Sequence, residues 1–213
     1  MALEGLCQEQ ETPSAGLAEN VIDFRDNHVV FEALDLDLAR VSSRDFTERN
    51  EPGKAIDALI RTQTEEYIDR AFSTNPDRYK GFLLADSDKD RHPVGQIFYV
   101  KHSPPSGKKY VIQPLYLIVH PDYRRKGLSK VLRLILLYDQ LVREPSSANC
   151  ELVCVIPASA ARSRVYPFFE KLCPGIAAQG VNGSLLPRYE LNSATIRKNL
   201  PAVLEEMRLR VVD

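Results

Sequence analysis

"LYLIVHPDYRRKGLSKVLRLIL", residues 115–136, passes from an apolar run through a charged turn into an amphipathic segment. The run Leu117-Ile118-Val119 reads as a buried strand, and the apolar spacing from Leu128 onward reads as a helix. Between them the turn packs Arg124, Arg125 and Lys126 ahead of a lone glycine, Gly127. A helix N-terminus already presents unpaired N–H groups and partial positive charge, so three more cations repel it. An anion at that place removes the conflict, and phosphate is a natural one. Gly127 allows positive φ and a close approach of the backbone, while the small Ser129 leaves the approach open. The turn lacks both GxxxxGK[ST] and GxGxxG, which excludes a P-loop and a dinucleotide fingerprint. On the residues alone, a phosphate site and a solvated basic loop both remain open.

The rest of the chain narrows the class. Its 213 residues suffice for one good-sized core. Lys and Arg number 28 against 29 Asp and Glu, so a wide basic nucleic-acid surface is not implied. No apolar run reaches the ~20 residues needed to span a bilayer. The first twenty residues lack the basic and apolar regions of a secretion signal, so a cytoplasmic location is expected. Cys7, Cys150, Cys154 and Cys173 have no nearby histidine or second cysteine pair, so reduced apolar thiols are expected and no metal.

Along the chain, residues 1–27 read as a polar N-terminal arm and 28–213 as a single domain. Residues 29–36 read as a strand and 37–53 as a loop. A helix follows over 54–72, with Ile56, Leu59, Ile60, Tyr67, Ile68 and Phe72 on one stripe. Strands are expected at 81–87, 93–102 and 110–120, the last carrying Pro114, which removes a ladder donor. The helix 128–142, a strand at 150–156, a helix near "YPFFEKL" and a hairpin at Asn182-Gly183 come next. A last helix covers roughly 193–209. The alternation describes one α/β domain.

The stretch quoted at the outset resembles the acyl-CoA-binding motif of the GNAT superfamily of N-acetyltransferases. That motif has a strand with L-x-V, a proline, then Q/R-x-x-G-x-G/A opening a helix. Leu117-Ile118-Val119 matches the strand, Pro121 the proline, and Arg124-Arg125-Lys126-Gly127-Leu128-Ser129 the core, with serine at the last place. The order of elements from about 29 to 191 is similar to the family's. The resemblance implies a mixed, mostly antiparallel sheet flanked by helices, here with an extra C-terminal helix. It further implies acetyl-CoA as acyl donor. The pantetheine arm would pair with backbone at Leu117 and Val119, where a bulge splays the strand. The pyrophosphate would rest on the amides of Arg125 to Ser129, with Lys130 next in line. Arg124 would either touch phosphate or shape the turn.

Acylation of an amine requires that the nucleophile lose a proton. Many family members place a carboxylate on the strand before the motif, and this strand offers only Gln113, Tyr116 and His120. His120, Glu32, Asp35 and Asp37 are candidate bases, none singled out. The family often protonates the leaving thiolate with a tyrosine in N-x6-Y-E-K-L-G-F. Counted forward from the strand at 150–156, Tyr166 takes that place; counted back from "EKL", Phe169 does. Only Tyr166 can donate a proton, so it is taken as the acid.

The leading expectation is therefore an acetyl-CoA-dependent N-acetyltransferase. Its acceptor would be a primary amine on a small molecule, an amino acid or a peptide, attacking directly in a ternary complex. A catalytically inactive CoA-binding relative is one alternative. The other is a basic loop that meets an acidic protein or RNA, which near-neutral charge and few aromatics beside the turn disfavour. Monomer and homodimer both fit.

Overall fold

A computed structural model of the chain describes residues 19–63, 66–102, 110–144, 150–155, 166–175, 178–179 and 188–213. Its first strands are β1 (Asn20–Asp23), β2 (His28–Phe31) and β3 (Leu34–Ser42). The stretch 29–36, expected as one strand, is thus a hairpin. Glu32 and Ala33 form its two-residue turn with φ of 47° and 63°. A turn with both central residues left-handed matches the twist of its strands, but it announces itself in sequence only through Asn-Gly or Asp-Gly. β3 then runs on through residues expected to be loop. Leu36 and Leu38 face one layer of the core and Val41 the other, so no simple alternation shows.

Helices α1 (Ser43–Glu48), α2 (Glu51–Arg61) and α3 (Glu66–Thr74) follow. The single helix expected over 54–72 is two, because α2 ends at Arg61 and the chain turns out of it at Thr62 and Gln63. α1 is capped by the Asp45 carboxylate, which accepts from Ser42 N at 2.7 Å and Ser42 Oγ at 2.9 Å. Asn50 caps α2 through Gly53 N at 2.9 Å, with Pro52 in the first turn. A Cβ on Gly53 would lie 2.0 Å from Asp45 O, so only glycine lets α2 start this close to α1.

β4 (Lys80–Asp86), β5 (His92–His102) and β6 (Tyr110–Val119) form the middle of the sheet, close to expectation. α4 (Leu128–Tyr138) continues into one π-helical turn over Asp139–Arg143. Next come β7 (Cys150–Val155), α5 (Tyr166–Leu172), β8 (Ala178–Gln179), β9 (Arg188–Leu191), α6 (Ser193–Glu206) and β10 (Leu209–Val212). The sheet order is β10-β1-β2-β3-β4-β5-β6-β7-β9-β8. Among the described residues, only β10 with β1 and β6 with β7 pair parallel; the other contacts are antiparallel. β1 occupies residues expected to be arm, and β10 begins where the last helix was expected to end. Residues 1–18 and the Asn182-Gly183 turn lie outside the described residues.

Each face of the sheet carries its own core. Val131, Leu132 and Ile135 of α4, Phe169 of α5 and Leu200 of α6 pack one face against Leu36, Leu84, Ile97 and Ile112. Ile56 and Leu59 of α2 and Ile68 and Phe72 of α3 pack the other against Val41, Leu83, Phe98 and Ile118. At about 25 cal/mol per Å² of apolar surface, burial of this kind is the main force holding the helices down. Buried Asp139 anchors the end of α4 through ion pairs with Arg40 and Arg143. No described helix is long and apolar enough to cross a membrane.

Candidate acyl-donor site

The register of β6 decides the geometry of the quoted stretch. Against β5 it pairs Leu115 with Phe98 and Ile118 with Gln96, so three steps on β6 face two on β5. The extra residue is a bulge, and Tyr116 stands in it with φ of 45°, an unusual conformation for an aromatic residue. On its other edge β6 meets β7 only from Tyr110↔Cys150 to Ile112↔Leu152. Pro114, two residues farther on, has no N–H to offer a ladder. The two strands therefore part, and the half of β6 that carries Leu117, Ile118 and Val119 has no described strand beside it on that edge. Ile118 is buried on the α2 side, while Leu117 and Val119 pack against the α4 side.

Past the strand, His120 caps a short 3-10 turn over Pro121–Tyr123. Arg124 donates from Nε to Val119 O at 3.2 Å, tying the turn back to the strand end. Arg125 (φ 67°) and Gly127 (φ 80°) are both left-handed, and they bend the chain into the first turn of α4. Lys130 is the first helix amide with an acceptor, Gly127 O at 2.8 Å. The amides of Arg125, Lys126, Gly127, Leu128 and Ser129 have none among the described residues. Leu128 is buried and locks the helix start into the core, while Arg124, Arg125, Lys126 and Lys130 are exposed. Successive helix N-terminal amides without an acceptor among the described residues, with cations around them, are an arrangement suited to an anion.

Two supports of this turn were not foreseen. A Cβ on Gly127 would meet Cε1 and Cζ of Phe31 at 3.3 Å, so β2 floors the turn. Tyr123 is the second, buried beneath the cations. Its hydroxyl donates to Asp86 Oδ2 at 2.6 Å and accepts from Lys89 Nζ at 3.0 Å. The Tyr123 hydrogen bond, opposed by burial, leaves the Asp86 carboxyl below the usual carboxylate range. Burial and the Asp86 contact push the Tyr123 hydroxyl up. Lys89 and Lys126 lie 5.0 and 5.4 Å from the ring centroid, and beside it His92 stacks on the ring while His120 meets it edge to face. A tyrosine one residue before an arginine pair carries no recognisable signal of this role.

Tyr166 begins α5, and its side chain lies outside what the structure describes. Phe169, which takes the same place in the count back from "EKL", is 2% exposed and packs edge to face on Phe168 with centroids 5.3 Å apart. Of the candidate bases, Asp35 pairs with His28 and Asp37 with Arg91, both on the hairpin side of the sheet. His120 approaches Asp122 at 3.7 Å, beside the turn rather than at the bulge. Among the described residues, no group of three or more His, Cys, Asp or Glu is placed to hold a metal ion.

No protein-family profile and no curated protein sequence matches the chain. Solved structures do. One chain of the NatC complex, determined with a Gag peptide and CoA, is 18% identical; the alignment covers 73% of this chain and 96% of that one, at a TM-score of 0.51. A bacterial toxin is 14% identical, with 81% and 96% covered and a TM-score of 0.52. The chain has the GNAT fold: a mixed, mostly antiparallel sheet with helices on both faces.

Proposed function

We propose that the chain is an acetyl-CoA-dependent N-acetyltransferase acting on a primary amine, its acyltransferase domain taking in β1 at Asn20 as well as residues 28–213. The observation that carries this reading is the run of five amides from Arg125 to Ser129 that have no acceptor among the described residues, placed directly after the splayed half of β6. The pyrophosphate of CoA takes those amides, with Arg125, Lys126 and Lys130 neutralising its charge. Arg124 shapes the turn through Val119. The pantetheine arm lies along β6 and pairs with the backbone of Leu117 and Val119, as a further strand would. Its thioester then reaches the bulge at Tyr116. That a chain of the same fold has been solved with CoA and a peptide supports this reading.

The resident residues supply positioning and charge. A neutral amine attacks the thioester carbonyl, the C–N bond forms as the C–S bond breaks, and the thiolate leaves. Tyr166, at the start of α5, gives the thiolate its proton. The amine's own proton passes to solvent or to a base outside β6, which carries no carboxylate. That lack also favours a second reading, a relative that binds CoA without turnover. Calorimetry with acetyl-CoA tests the donor site, and a thiol-release assay over a panel of small amines, amino acids and peptides tests turnover. Micromolar acetyl-CoA binding with thiol release is the expected result. Binding without release on any amine selects the second reading, and no binding overturns both.

A further inference from the structure

Gln96 of β5 is fully buried, yet neither its Nε2 nor its Oε1 has a hydrogen-bond partner among the described residues. Its register places it opposite Leu83 on β4 and Ile118 on β6. Directly opposed residues share a face of the sheet, and both partners belong to the core under α2 and α3. The amide therefore stands on that face, away from α4. Tyr116 shares the face, since its ring meets Phe72 and Tyr79 with centroids 5.6 and 5.7 Å away. Gln96 is thus next to the β6 bulge, on the side of the sheet opposite the helix that opens at the phosphate turn.

A leucine would fill that place without an unpaired donor and acceptor. Burying both atoms of an amide unpaired works against folding, and such groups in native proteins call for a ligand or a water. We propose that the Gln96 amide binds the amine acceptor at the bulge, directly or through one enclosed water, and selects an acceptor with a carbonyl beside its amine. This rests on the acyltransferase reading above. Oε1 accepts from the acceptor's N–H, and Nε2 donates to its carbonyl oxygen. An alkylamine directs its one lone pair at the thioester carbon and leaves Nε2 unpaired, whereas an amino-acid amide or a peptide N-terminus satisfies both. Sites that hydrogen-bond a polar group discriminate strongly against analogues lacking it.

The test compares alaninamide with sec-butylamine, which has the same shape around the amine and no carbonyl. In Gln96→Leu, kcat/KM for alaninamide is expected to fall about 10- to 100-fold, as for loss of a hydrogen bond or two. For sec-butylamine the fall is expected to be several-fold smaller, because the bond lost at Oε1 is offset by removal of an Nε2 that this amine leaves unpaired. Acetyl-CoA affinity is unchanged, and the thermal midpoint is unchanged or higher. Equal losses on the two amines, or no loss on either, overturn the assignment. A second measurement does not need turnover. The side-chain amide signal of Gln96 in ¹⁵N-labelled protein, identified by its absence from Gln96→Leu, is expected to move further on adding alaninamide, which engages Nε2, than on adding sec-butylamine. A signal indifferent to alaninamide overturns the assignment even where acetyl-CoA binds. Failure of the acyltransferase reading itself shows separately, as absence of acetyl-CoA binding to the parent.

Discussion

The Phe31 ring lies 3.3 Å from where a Cβ on Gly127 would stand, so a strand near the N-terminus sets the floor of a turn almost a hundred residues later. That contact separates two consequences of changing Gly127. Alanine there meets left-handed backbone, which costs about 1–2 kcal/mol, and it presses on the Phe31 ring. Glutamate carries the same strain and adds a carboxylate where phosphate would sit. Thermal melts are expected to drop by similar amounts for Gly127→Ala and Gly127→Glu, with both proteins folded at 25 °C. Calorimetry is expected to show acetyl-CoA binding by the alanine variant and none by the glutamate variant. Equal affinity in parent and glutamate variant would remove the phosphate role of the turn.

The exposed cations lend themselves to a ligand-dissection test. Arg125→Ala and Lys126→Ala are expected to weaken CoA more than they weaken pantetheine, which has no phosphates. The difference should shrink in high salt, since exposed charges are screened. Lys126 also lies over the Tyr123 ring, so its variant should lose slightly more stability than that of Arg125. Identical losses for the two ligands would assign these residues to folding instead.

Tyr123 and Asp86 link the turn to pH. The Asp86 carboxyl titrates lower in the folded chain than in the unfolded one, chiefly because Tyr123 donates to it. A depressed carboxyl stabilises the fold above its unfolded value of about 3.9, and that contribution fades as pH falls through the folded value. Tyr123→Phe is expected to cost about 1.5–3 kcal/mol at pH 7, as for a hydrogen bond to a charged group. Urea denaturation at a series of pH values should show the parent–variant gap narrowing below about pH 4. A gap of constant size across that range would mean that the hydroxyl, not its charged partner, carries the effect.

If Tyr166 is the proton donor proposed above, Tyr166→Phe is expected to lower turnover by about 10²–10⁴-fold, as for general acid catalysis, with acetyl-CoA affinity retained. Phe169→Tyr in that background is expected not to restore it, because Phe169 is buried against Phe168. It should also lower the melting temperature, since a hydroxyl would enter that core unpaired. Rescue of turnover would move the acid one helical turn along α5.

Residues 115–136 carried their own local structure in plain view. An apolar run, a cationic turn with one glycine and a helical stripe are set by neighbours in sequence, so periodicity and φ preference suffice to read them. The same holds for β4, β5 and β7, whose long apolar runs are cut by charged turns. The hairpin at Glu32-Ala33, the break between α2 and α3, and the pairing of β1 with β10 could not be read this way. Each of β1 and β10 is four residues long and too short to signal a strand; they exist because each completes the other across the fold. The site divides along the same line. The shape of the turn proposed to hold phosphate was legible because its amides come from consecutive residues. Phe31 under Gly127, Asp86 under Tyr123 and the orphaned amide of Gln96 were not, because burial and partnership across strands are properties of the packed sheet. No window of sequence contains them, and only tertiary contact brings those side chains to one place.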